Sequence, residues 1–75
     1  MQTNENSHVI SNLEFNLLAV LKNKAEAVQI YDNYIQDAQQ ANSQPCVELL
    51  QKLQETDKQQ AQAVRQHLLE VMQVG

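Results

Sequence analysis

Lys24, Asp57 and Gln60 are the residues whose types and spacing bear on chemistry. A metal-carboxylate centre in a helix bundle draws a Glu from one helix and a Glu-x-x-His pair from another. The string Asp57-Lys58-Gln59-Gln60 has that spacing, which puts its first and last side chains on one helical face. Lys24 and Gln60 lie almost equally far from a turn predicted at about 42–44, so their heights differ by only about 3 Å at about 1.5 Å rise per residue. Asp57 is about one helical turn nearer the loop, within reach of a lysine side chain. The residue types oppose metal binding. Lys24 is a cation with donors only, Gln60 offers a weak amide oxygen, and Asp57 alone keeps an anionic oxygen, on a short arm. The chemistry expected here is mutual: a Lys24–Asp57 ion pair, within one chain or across a dimer, with no metal and no cofactor.

Two long helices must position these groups. Ser11-Asn12-Leu13-Glu14 matches a capping box, with Ile10 and Phe15 at the places of a hydrophobic staple. From there a helix is predicted over about 12–41. Its seam runs through Leu17, Leu21, Lys24, Val28, Tyr31, Ile35 and Ala38 at steps of three and four, with Glu14 as a further polar member. Leu13, Val20, Ala27 and Tyr34 widen the apolar face on one flank, and Leu18 and Ala25 widen it on the other. A second helix is predicted over about 45–72, with Ser43 as N-cap and Pro45 tolerated in the first turn. Its seam reads Cys46, Leu50, Leu53, Asp57, Gln60, Val64, His67 and Val71, flanked by Leu49, Ala61 and Leu68. Residues 1–10 are polar and aperiodic, and read as a flexible tail. The unit is then one helical hairpin over 11–75.

Composition supports this and excludes several classes. The only glycine is Gly75 and the only proline is Pro45, so almost nothing breaks a helix. A net charge of −4, with no basic stripe, disfavours nucleic acid and anionic membranes as partners. No apolar run is long enough to span a membrane. The N-terminal residues lack a signal-peptide pattern, and a single cysteine fits a reducing, cytoplasmic setting. A domain of about this length buries only about 60% of its unfolded surface. Each helix also presents more apolar face than one neighbour can cover. The remedy expected is dimerisation into a four-helix bundle, with the chain itself as partner in a homodimer or larger even-numbered oligomer.

Two strings carry a resemblance. Ala25-Glu26-Ala27-Val28-Gln29-Ile30-Tyr31-Asp32 is similar to a Glu-Ala-Val-x-x-Tyr-Asp string, and Asp57-Lys58-Gln59-Gln60-Ala61 looks like Glu-x-x-His-Ala. Over about 21–69 the chain thus resembles the short two-helix members of the ferritin-like superfamily, of the encapsulated-ferritin type. The resemblance implies paired hairpins with metal between them. Its first-helix Glu maps onto Lys24, its second-helix Glu onto Asp57 and its His onto Gln60, so the ligand set is degenerate.

The function expected is therefore non-enzymatic: a ferritin-like module for self-assembly or for binding another protein, its metal site lost. One alternative is residual metal or iron handling, for which Glu26 and His67 are the remaining ligand candidates beside Asp57. The other is a plain coiled-coil regulator. Each candidate also has a simpler reading. Glu26 reads as a solvated carboxylate. Tyr31 and Tyr34 read as core and interface aromatics. His67 reads as a hydrogen-bonded interface residue, because no carboxylate–histidine set surrounds it. Cys46, on the apolar seam, reads as a buried, inert thiol. The glutamines of the outer faces, Gln36, Gln39, Gln40, Gln51, Gln54 and Gln62, read as low-charge solvated surface that could also support further assembly.

Overall fold

A computed structural model describes residues 9–74; most of the expected N-terminal tail, residues 1–8, lies outside the described residues, as does Gly75. Two helices, α1 (Asn12–Gln40) and α2 (Gln44–Val74), run antiparallel and pack along their length. The described residues contain no strand, and no helix among them is long and apolar enough to cross a membrane.

Local chemistry fixes both ends of α1. The Ser11 hydroxyl accepts from the Glu14 amide at 3.1 Å, and the Ser11 amide donates to Glu14 Oε1 at 2.8 Å. Two of the four amides left open at a helix start are thereby satisfied. Ile10 and Phe15 border one shallow apolar depression beside this cap. At the other end Asn42 has φ 58°, the left-handed conformation that asparagine tolerates better than most residues. This lets the Asn42 amide bond the Gln39 carbonyl and the Ser43 amide bond the Ala38 carbonyl, both at 3.0 Å. The pattern is a Schellman C-cap with Asn where Gly is usual. It reverses the chain within three residues, and α2 starts at Gln44. Pro45 sits in the first turn of α2, where its missing amide forfeits no helical bond.

The seam of α1 matches the predicted periodicity. Glu14, Leu17, Leu21, Lys24, Val28, Tyr31, Ile35 and Ala38 are its less exposed residues, joined by Ala27. The seam of α2 does not match. Leu50, Asp57, Val64 and Val71 lie on it as predicted, but the residues between them are Val47, Gln54, Ala61 and Leu68. Cys46, Leu53, Gln60 and His67 stand one residue to the side and are exposed. One residue is about 100° of helix, so the shared stripe is right and the flank turned towards α1 is the other one. Val47 and Leu68 gain by this choice: both are buried, whereas Cys46 and His67 remain in solvent. The expectation of a buried Cys46 is thereby corrected.

Both seams now follow strict three–four alternation, the pattern of a coiled coil. In an antiparallel pair this leaves the hairpin with two unlike broad sides. One carries Leu13, Val20, Ile30, Tyr34, Leu49 and Leu53, all more than two-fifths exposed. The other carries six charged residues, Lys22, Asp32, Glu48, Glu55, Lys58 and Arg65. Its large exposed apolar residues, Phe15, Leu18, Leu69 and Met72, stand at the open end of the hairpin, and a shallow depression bordered by Leu21, Ala25, Val28 and Ala61 lies midway along it. The core itself is small. Ile35, Ala38 and Val47 form its buried nucleus near the turn, with Tyr31 and Leu50 packed against them. Leu68 is the other buried apolar residue among those described. Tyr31 meets Tyr34 edge to face, centroids 5.7 Å apart, which ties this nucleus to the apolar broad side.

Candidate functional site

The middle of the seam is polar. Lys24 enters it from α1, Asp57 from α2 on the facing stripe, and Gln60 from the adjoining flank one turn further along. Lys24 Nζ donates to Gln60 Oε1 at 2.6 Å and lies 3.6 Å from Asp57 Oδ1. The first contact is a strong charge-assisted hydrogen bond, the second a longer ion pair. The side chains of Lys24 and Asp57 keep 34% and 22% of their exposure, so the cluster is semi-buried. Because Gln60 projects from the apolar broad side, its bond leans the lysine ammonium towards that side.

A second polar group adjoins the first, nearer the turn. Gln54 Nε2 donates to the Val28 carbonyl at 2.8 Å and to Asp32 Oδ1 at 2.9 Å. The expectation of Gln54 on the outer surface is thus corrected. It bridges the helices instead, because the seam of α2 takes the flank that includes it. The three–four spacing from Leu50 through Gln54 to Asp57 carries the signal; the polarity of glutamine hides it.

The remaining candidates do not join the cluster. Glu26 points outwards and pairs with Lys22 at 3.4 Å, an exposed contact of little energetic weight. His67 Nδ1 donates to the Ala63 carbonyl within its own helix at 2.8 Å, and the ring is exposed. Cys46 is free and exposed in the first turn of α2. Among the described residues no group of three or more His, Cys, Asp or Glu could hold a metal ion. At the Lys24 level the one carboxylate already faces an ammonium, and the amide oxygen of Gln60 is taken up by the same ammonium. That donor set does not fit a cation.

No family model, curated protein or solved structure matches this chain. The likeness to two-helix ferritin-like proteins thus rests on the two short strings alone. The cluster joins the two helices at one level. Lysine contributes three donors and no acceptor, Asp57 only acceptors, so the set is complementary only when the three levels align.

Proposed function

We propose that this chain is a non-enzymatic helical module that works by association, two copies pairing into a ferritin-like four-helix bundle whose metal-ligand positions hold a Lys24–Asp57–Gln60 cluster instead. One observation carries the proposal. Ten large apolar side chains stand exposed on the helices of a hairpin that buries four apolar residues, among those described. Scattered exposed hydrophobes are ordinary, but six aligned on one broad side of a thin hairpin mark an interaction surface. Sedimentation equilibrium from low to high micromolar concentration tests it. A dimer or larger even oligomer is expected, and a well-folded monomer throughout would refute it. Elemental analysis of protein purified without a metal-binding tag is expected to find no stoichiometric iron or manganese. Finding it would favour residual metal handling.

The strict three–four alternation of both seams favours a second reading, an antiparallel coiled-coil regulator with no ferritin ancestry. The triple change Lys24→Glu, Asp57→Glu and Gln60→His separates the two. A ferritin-like pairing brings two rebuilt sites together and creates measurable metal affinity, whereas a coiled coil of other ancestry gains none.

A further inference from the structure

We infer that the partner is a second copy of this chain, docked on the broad side that carries Leu13, Val20, Ile30, Tyr34, Leu49 and Leu53, with the Lys24 cluster as the polar layer at its centre. The inference rests on the assembly reading and adds the surface and its register. Three observations bear on it; the first holds for either broad side, the other two for this one.

The first is area. Helices of 29 and 31 residues are about 45 Å long. With the hairpin 23 Å across its second-longest dimension, each broad side offers on the order of 1,000 Å². A stable interface takes about 800 Å² from each partner, so one side suffices and nearly all of it is needed.

The second is charge. Lys22, Asp32, Glu48, Glu55, Lys58 and Arg65 fall on the opposite side, and only Asp37 and Glu70 border the apolar one. Apart from the Lys24–Asp57 layer that side is depleted of charge, which distinguishes interface from ordinary surface better than bulk hydrophobicity does.

The third is the lysine itself. Lys24 lies close to the middle of α1, and Asp57 and Gln60 close to the middle of α2. Its ammonium leans to the apolar side through Gln60 and retains donors beyond the one that Gln60 takes. When two copies face each other with their lengths matched, two Lys24 and two Asp57 side chains meet at one level, and their charges balance. A copy slipped by one turn sets this layer against Val20, Ala27 or Ile30 and leaves charges unpaired among apolar groups, which penalises the wrong register.

The test compares the two sides. Leu53→Glu lies on the inferred interface, and Leu69→Glu lies on the charged side at its apolar end. Sedimentation equilibrium is expected to show that Leu53→Glu weakens self-association on the order of 100-fold, because it buries an unpaired carboxylate, and that Leu69→Glu leaves it unchanged. Thiol reactivity covers the case in which Leu53→Glu unfolds the protein. In a Cys46→Ser background, Leu53→Cys should react about tenfold more slowly above the dissociation constant than below it, and Leu69→Cys at the same rate in both conditions. Wild-type protein that stays monomeric overturns this inference and the assembly reading together. A wild-type dimer dissociated by Leu69→Glu alone, or one that protects the thiol introduced by Leu69→Cys and not that introduced by Leu53→Cys, overturns only the choice of side.

Discussion

Replacing Asp57 with alanine removes the anion paired with Lys24 and leaves, among the described residues, the ammonium bonded to Gln60. Removing one member of a fully buried pair destabilises by about 3–5 kcal/mol, whereas fully exposed pairs contribute about 1 kcal/mol or less. The pair here lies between these limits, with 34% and 22% of the two side chains still in solvent. In an isolated hairpin Lys24 can swing towards water, and Asp57→Ala should cost about 1–2 kcal/mol, lowering the melting temperature by roughly 5–10 °C in a domain of this size. In an assembled protein whose apolar side is covered, the same change should approach about 3 kcal/mol, because the lysine's route to solvent on that side is closed. The cost should therefore rise with protein concentration. The double change Lys24→Met with Asp57→Leu removes both charges and fills the space with apolar atoms, and is expected to be neutral or stabilising. Urea titrations of wild type, Lys24→Met, Asp57→Leu and the double mutant, each at two protein concentrations, give the coupling energy directly. Additive effects below about 0.5 kcal/mol at both concentrations would show that Lys24 and Asp57 do not interact, and that the cluster does not set the register.

Three further outcomes follow from named contacts. Asn42→Gly should leave stability unchanged or raise it slightly, since glycine adopts the left-handed conformation freely, while Asn42→Val should lower it by about 1–2 kcal/mol in thermal melts. Ser11→Ala should cost about 1 kcal/mol and speed amide exchange in the first turn of α1, with no change near the hairpin turn. Gln54→Leu should stabilise by about 1 kcal/mol in urea titrations, because the Val28 carbonyl keeps its helical bond, Asp32 remains in water, and the seam gains an apolar side chain.

Much of this architecture is legible in the residues themselves. The capping box at Ser11 and the seam from Leu17 to Ala38 follow from spacing, since α1 has one continuous apolar path that includes Lys24. In α2 the residues seven apart, Leu50, Asp57, Val64 and Val71, are equally plain. Between them the sequence permits two paths, through Cys46, Leu53, Gln60 and His67 or through Val47, Gln54, Ala61 and Leu68. Each mixes apolar and polar residues, so periodicity alone does not choose. The turn chooses: Asn42 reverses the chain in a fixed geometry and presents the second flank to α1. The cluster is legible on either path because Gln60, one step off the seam, still reaches Lys24 along the flank. The bridge from Gln54 to Asp32 is hidden for the complementary reason, that a polar residue on the facing stripe looks like surface until the flank is known.

The uneven distribution of buried residues also bears on kinetics. Ile35, Ala38 and Val47 lie within one or two helical turns of the loop, and the polar layers at Gln54 and Lys24 separate them from the open half, where Leu68 alone among the described residues is buried. The first tertiary contacts therefore close a very short loop, an event on the order of 10–100 ns. Later contacts add in order of distance from the turn, as a zipper closes. Opening runs in reverse, from the free ends towards Asn42, and the least protected amides are those beyond Lys24 and Gln60. Such a hairpin behaves as a pair of tweezers whose pivot is its most stable part. Its open ends hold the fewest buried residues among those described, so a covering surface adds most there.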